Sequence, residues 1–196
     1  MVVHCASNVQ NPDDDARALN HLVTASQAHA FHLVYVSICG IEKAAEVLDY
    51  YKVKLRNEEV LRKQNVAHTI VRISQFHPFV AMVLSHLVKG PVMLVPRFSL
   101  QPVDLDYAAL QLATYAVSPV PGRAPDVHGP ELIASNVLAS SWRKSRGLSR
   151  LALPFPRVGL LKALGALSPV KGHPGGRSWN EWLDETTRSE NPYGEG

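Results

Sequence analysis

Three polar side chains in the first third of the sequence have types and a spacing suited to proton transfer. Tyr50 and Lys54 stand four residues apart in a segment that predicts a helix, so both side chains lie on one helix face. A lysine ammonium near a phenol favours the phenolate, which lowers the pKa of the tyrosine and lets it exchange a proton with a carbonyl or alcohol oxygen. The same spacing also occurs on solvated helix faces.

Ser37 is the third of these side chains. It lies near the end of a nearly continuous apolar and β-branched run at residues 32–38, which predicts a strand buried on both faces. The carboxyl ends of such strands face the ligand crevice of open α/β sheets, so a loop can bring Ser37 beside Tyr50. Its hydroxyl would then hydrogen-bond the reacting oxygen. Capping of backbone groups at the strand end is the alternative interpretation.

The elements that must position these residues alternate in type along the chain. Strands are predicted at residues 2–6, 32–38 and 69–73, separated by amphipathic helices around residues 18–25 and 50–64. Asp13, Asp14 and Asp15 are expected to cap the first helix. This order of strand, helix, strand, helix and strand has short connections. It predicts right-handed crossover units in a parallel sheet.

The second half of the sequence is less regular. Its patterns predict two short strands, at residues 92–96 and 99–103, and four helices, at residues 78–88, from Asp104 or Asp106 to 117, 135–145 and 179–184. We predict a core domain over residues 1–118, an appended region over residues 119–186 and a flexible tail over residues 187–196.

Composition excludes several classes of protein. The 20 Lys and Arg against 17 Asp and Glu leave a formal charge of only +3, which does not suggest a nucleic-acid partner. Two cysteines form neither a disulfide framework nor a zinc site, no metal site is expected, and a reducing cytoplasm fits. No segment reaches the uninterrupted apolar length of about 18 residues that a membrane span needs.

Several blocks of the sequence resemble, in order and spacing, the atypical short-chain dehydrogenases, and most closely their NmrA-like, NAD(P)H-binding, sugar-epimerase-like group. The blocks are residues 2–7, 32–37, 50–54 with Glu58 and Glu59, 69–72 and 75–77, and the likeness extends to about residue 156. It implies an α/β fold with a partial Rossmann-type, doubly wound parallel sheet that lacks the N-terminal βαβαβ half, and a small α+β region on the substrate side.

The resemblance also implies roles for individual residues. Ser37 would orient a substrate carbonyl, Tyr50 would be the general acid or base, and Lys54 would hold the nicotinamide ribose. The cofactor NAD(P) would be bordered by a further set of residues, and His77 would face the substrate, a small carbonyl or alcohol. The cofactor-binding set is Cys5, Ala6, Ser7, Lys54, Gln75 and Phe76.

One part of the family pattern is not found in this sequence. The family binds the pyrophosphate with a glycine-rich turn between a strand and a helix, and no GxxGxxG or GxGxxG follows a strand here. Cofactor binding is therefore expected to be impaired. In the family's sheet the missing first strand would pair beside residues 2–6, so these residues are expected to form an exposed apolar edge. Either the chain self-associates through that edge, or it is a fragment of a longer product.

Three functions remain open at this point. The chain is an NAD(P)-dependent oxidoreductase, a non-catalytic NmrA-like sensor or interaction module, or an inactive fragment. The sequence leaves open the substrate, the choice between NAD and NADP, and the oligomeric state.

Overall fold

The computed structural model describes residues 1–156, 158–167 and 171–188. These residues form eight helices and eleven strands. The helices are α1 (Pro12–His29), α2 (Ile41–Ala44), α3 (Asp49–Lys63), α4 (His77–His86), α5 (Leu105–Val117), α6 (Ser135–Ser145), α7 (Leu160–Ala166) and α8 (Trp179–Arg188). The strands are β1 (Val2–His4), β2 (Leu33–Ile38), β3 (His68–Ile73), β4 (Val88–Lys89), β5 (Val92–Pro96), β6 (Ser99–Leu100), β7 (Gly122–Arg123), β8 (Asp126–His128), β9 (Ile133–Ala134), β10 (Leu151–Phe155) and β11 (Gly172–Pro174).

Six strands form a parallel main sheet. Their order is β1-β2-β3-β8-β11, and β7 also pairs with β3. The β2 and β3 register runs from Leu33 opposite His68 to Ile38 opposite Ile73. The three predicted crossover strands and their parallel direction are therefore confirmed.

Helices cover both faces of the main sheet because successive residues of a strand point to opposite sides. On one face, Leu19 of α1 and Leu61 of α3 pack against Leu33 and Tyr35 of β2. On the other face, Val34 and its neighbours pack against α5. The α/β fold with a doubly wound parallel sheet, which the resemblance implied, is confirmed.

The main sheet continues beyond the predicted boundary at residue 118. Strands β7, β8 and β11 all come from later residues and join the same hydrogen-bonded sheet. A second, three-stranded sheet has the order β10-β5-β4, and β6 pairs with β9. No strand is predicted at β10, which contains Pro154, but at a sheet edge a missing N–H is tolerated.

Helix ends differ from the predictions by a few residues. Helix α1 begins at Pro12, so the three aspartates occupy its first turn instead of capping it. Asp104 does cap α5, since its side chain accepts the backbone N–H of Asp106 at 3.3 Å. Helix α8 continues to Arg188, so the predicted tail begins inside a helix, and residues 189–196 lie outside the described residues.

The first strand lies at one edge of the main sheet. Among the described strands β1 pairs only with β2, and Val3 remains 39% exposed. The exposed apolar edge expected from the sequence is therefore present in the described part of the chain. In that part, no helix combines the length and the hydropathy needed to cross a bilayer.

Candidate active site

The phenol of Tyr50 and the hydroxyl of Ser7 meet at the carboxyl ends of the main-sheet strands. Ser7 follows β1 and is exposed, whereas Tyr50 is the second residue of α3 and is partly buried. Their oxygens lie 2.9 Å apart, within hydrogen-bonding distance. The phenol oxygen therefore lies where a small molecule could reach it from solvent.

Asp15 connects this pair to Lys54. The Asp15 carboxylate, in the first turn of α1, accepts a hydrogen bond from Ser7 Oγ at 2.9 Å. Lys54 Nζ lies 3.5 Å from the same carboxylate oxygen, and both residues are only 4% exposed. We call Ser7, Asp15, Tyr50 and Lys54 the Asp15 cluster. It joins β1, α1 and α3 at one end of the sheet.

The pKa of Tyr50 is raised, whereas the spacing of Tyr50 and Lys54 predicted a lowered one. Burial raises the pKa of Tyr50 above its ordinary value, and the negative charge of Asp15 raises it further. Burial also lowers the pKa of Lys54, against the opposing effect of Asp15. The charge of Lys54 is paired with Asp15, which limits its effect on the phenol.

Ser37 is held in a different network. Its Oγ donates to Glu58 Oε1 at 2.6 Å, and the hydroxyl is almost fully buried. Glu58, which is 0% exposed, also accepts two hydrogen bonds from Arg72 at 2.8 Å and one from Arg62 at 2.5 Å. Ser37 is thus joined to the buried ion pair of Glu58 and Arg72, and its predicted role beside Tyr50 stays a prediction.

His77 lies in the hydrophobic core and not on a substrate surface. It is 0% exposed, its Nε2 lies 3.1 Å from the carbonyl oxygen of Pro102, and its ring contacts Trp179 and Trp182 at centroid distances of 5.7 and 5.5 Å. Burial lowers its pKa to about 4. Helix α8, whose packing the sequence did not reveal, covers this side chain, so the geometry lends no support to the role at the substrate, which stays a prediction.

The other predicted cofactor contacts lie at the carboxyl ends of β1 and β3. Cys5 and Ala6 follow β1 and are exposed. Gln75 and Phe76 connect β3 to α4. Gln75 is 7% exposed, and its Nε2 has no hydrogen-bond partner among the described residues. These residues lie at the same end of the sheet, and their contact with a cofactor stays a prediction.

The helix N-termini at the carboxyl ends of the strands do not fit a pyrophosphate. A helix N-terminus binds an anion through free backbone N–H groups and a positive dipole end, and a carboxylate in the first turn opposes a second anion there. Helix α4 lacks such a carboxylate, but it begins with buried His77 and with Pro78, which has no N–H. The first turns of the other helices at this edge carry Asp13 and Asp14 (α1), Glu42 (α2), Asp49 (α3) and Asp106 (α5).

Sequence reasoning missed the roles of Asp15 and Glu58. Both are carboxylates on the buried faces of their helices. A usable signal was present, because Asp15 precedes the apolar Leu19 and Val23 at intervals of four, and Glu58 precedes Leu61 by three. A charged residue in register with an apolar stripe is expected to be buried and paired.

Comparison with known proteins gives matches in structure only. No family model and no curated protein sequence matches the chain. A nucleoside-diphosphate-sugar epimerase from Staphylococcus aureus is similar with a TM-score of 0.72 at 13% identity, over 93% of this chain and 75% of that one.

Two further similar structures were solved with a nucleotide. A dTDP-4-dehydrorhamnose reductase from Bacillus anthracis, in complex with NADP, has a TM-score of 0.69 at 16% identity, over 96% of this chain and 80% of that one. An NADPH-dependent quinone oxidoreductase from Escherichia coli, complexed with NADPH, has a TM-score of 0.70 at 15% identity, over 93% of this chain and 74% of that one. The chain thus has the Rossmann-like fold of NAD(P)-dependent epimerases and reductases, as its sequence resemblance implied.

Proposed function

We propose that this chain is an NAD(P)-dependent oxidoreductase of the atypical short-chain type that acts on a small carbonyl or alcohol and binds its dinucleotide weakly. The observation that carries the proposal is the Asp15 cluster at the carboxyl ends of a parallel sheet. A phenol that is reachable from solvent, and that is hydrogen-bonded to a buried ion pair, is a suitable group for proton exchange with a substrate oxygen.

The residues divide into four roles in this proposal. Tyr50 exchanges the proton, and Ser7, Asp15 and Lys54 hold it in place. Cys5, Ala6, Gln75 and Phe76 border the ligand. Ser37 acts on the site only through Glu58, by fixing the end of β2. The dinucleotide would supply or accept the hydride. The acidic first turns of the surrounding helices weaken the binding of its pyrophosphate.

Calorimetric titration with NADPH and NADH tests this proposal. We expect binding with a Kd on the order of 1 mM, because the residues proposed to border the ribose and nicotinamide would contribute affinity while the acidic helix N-termini would disfavour the pyrophosphate. In assays with small aldehydes and ketones, Tyr50→Phe should lower turnover at least about 100-fold and leave the heat of nucleotide binding unchanged. The control is Tyr51→Phe, which removes the neighbouring phenol oxygen. Absence of heat with either nucleotide at millimolar concentration contradicts the proposal.

The exposed edge of β1 supports the second candidate function, a non-catalytic interaction module. Val3 is part of an apolar strand edge whose outward backbone groups can pair with another strand.

We expect the chain to self-associate through this edge and Val3→Lys to shift it towards monomer, because a lysine on an edge strand disfavours strand addition. Sedimentation velocity over a range of concentrations measures the shift. Val9→Lys, which adds the same charge at a 66% exposed position outside the strand, is the control. Equal association of the parent chain and the Val3 variant would rule this edge out.

A further inference from the structure

The direction of the hydrogen bonds in the Asp15 cluster follows from a count of hydrogens. Ser7 has one hydroxyl hydrogen, and it donates that hydrogen to Asp15. In the 2.9 Å contact between Ser7 and Tyr50, Ser7 must therefore accept and the phenol must donate. The Asp15 carboxylate is itself fixed, because its other oxygen accepts the backbone N–H of Asn8 at 2.6 Å.

The charge of Lys54 interacts with groups other than Tyr50. Its Nζ lies 3.5 Å from Asp15 and 3.5 Å from the carbonyl oxygen of Val36, and it stands 5.1 Å from the centre of the Tyr35 ring. An ammonium in a buried ion pair exerts little net field on a third group, since the carboxylate offsets it. Lys54 is thus available to stabilise a phenolate only if Asp15 is removed.

We propose that Asp15 is a positioning residue that keeps Tyr50 in its protonated form, by orienting Ser7 as an acceptor and by neutralising Lys54. The proposal rests on the proposed function, because it states which form of Tyr50 the site presents to a substrate. In that form Tyr50 gives a proton to a substrate oxygen and does not take one from it. The O–H bond breaks at the phenol, forms at the substrate oxygen and leaves a phenolate.

The chemistry of the transfer is consistent with this arrangement. The phenol keeps its proton and donates a hydrogen bond to Ser7 until a substrate oxygen that gains negative charge becomes a stronger acceptor. A hydrogen bond from Ser7 lowers the pKa of Tyr50 only if Ser7 donates it, and Asp15 holds the Ser7 hydrogen. Burial and the negative charge of Asp15 raise the pKa of Tyr50, which also favours the protonated phenol.

Other titratable groups also surround the phenol. They come from the strands and helices that pack at this edge, and Asp15 is the one carboxylate whose charge acts on Tyr50 there among the described residues. His4 is buried at the end of β1, and its pKa is lowered by burial and by Lys54 against the opposing effect of Asp15. The remaining groups are Cys5 after β1, Tyr35 on β2 and Tyr51 on α3, each with a raised pKa.

Titration of the Tyr50 phenol tests the proposal without nucleotide or substrate. The signal is the phenolate absorbance, or the NMR signal of isotope-labelled tyrosine, that is lost in Tyr50→Phe. We expect the parent phenol to titrate above the ordinary midpoint of about 10. In Asp15→Asn the midpoint should fall by at least about one pH unit, because Lys54 becomes unpaired and Ser7 is free to donate.

The control is Asp13→Asn, which removes the same charge from an exposed position in the same turn and should leave the midpoint unchanged. A parent midpoint below about 10 overturns the proposal even if Asp15→Asn fails to fold, and so does a midpoint that stays the same or rises in Asp15→Asn. Failure of nucleotide binding leaves this titration unaffected, so it would refute the proposed oxidoreductase without refuting the control of Tyr50 by Asp15.

Discussion

Glu58→Ala should lower the free energy of unfolding by about 3–5 kcal/mol, because it leaves the buried guanidinium of Arg72 without its principal partner. Glu58 is 0% exposed and accepts two hydrogen bonds of 2.8 Å from Arg72, which is itself 2% exposed. The remaining ion pair of Arg72, to Glu42 at 2.6 Å, reaches a carboxylate that is 56% exposed and therefore screened by solvent. Urea unfolding of the parent and the variant measures the loss.

Arg62→Ala is the matched control for this prediction. Arg62 contacts the same carboxylate at 2.5 Å, but its side chain is 46% exposed, so its removal should cost less than about 1 kcal/mol. The double variant Glu58→Leu, Arg72→Met should be less destabilised than Glu58→Ala, because no buried charge is left unpaired. Equal losses in Glu58→Ala and Arg62→Ala would show that burial of the pair does not set its contribution.

Acidification from pH 7 to pH 4 should remove about 3 kcal/mol of stability through His77 alone. In the folded chain the pKa of His77 is lowered to about 4 by burial. In the unfolded chain it returns to about 6.5, so below this pH the unfolded state binds a proton that the folded state does not. The contribution is fully present above about pH 6.5 and is lost as the pH falls towards 4.

A comparison with His77→Gln isolates this effect from other titrating groups. Glutamine does not titrate, and its side-chain N–H can still donate to the carbonyl oxygen of Pro102. The difference in unfolding free energy between pH 7 and pH 4 should therefore be about 3 kcal/mol smaller in the variant than in the parent. His86→Gln, at an exposed position of the same helix, should keep the parent's dependence. An identical dependence in parent and His77→Gln would show that His77 is not buried in its neutral form.

The fold of the first half could be predicted because its signals are local. Residues 32–38 and 69–73 are mostly apolar and β-branched runs, and such runs identify buried parallel strands without knowledge of their partners. The second half could not be predicted in the same way. Strands β7, β8 and β11 have two or three residues each, too few for a periodic pattern, and they are fixed by pairing with β3 and with each other.

The site was only partly predictable for a related reason. The spacing of Tyr50 and Lys54 on one helix is a local property, and both belong to the Asp15 cluster. The partners of Ser37 and His77 come from other elements, namely Glu58 of α3 and the tryptophans of α8. Residue type and strand position do not reveal whether a polar side chain points to the cleft or to such a partner.

The packing of α8 on α4 has a consequence for how the chain folds during synthesis. Trp179 and Trp182 cover His77, and β11 pairs with β8, so the last described elements complete structures begun much earlier in the sequence. Contacts of such high sequence separation require the closure of long loops, and they form late. While the nascent chain is still on the ribosome, the apolar gap beside α4 therefore stays open to water and to chaperones until α8 emerges and docks.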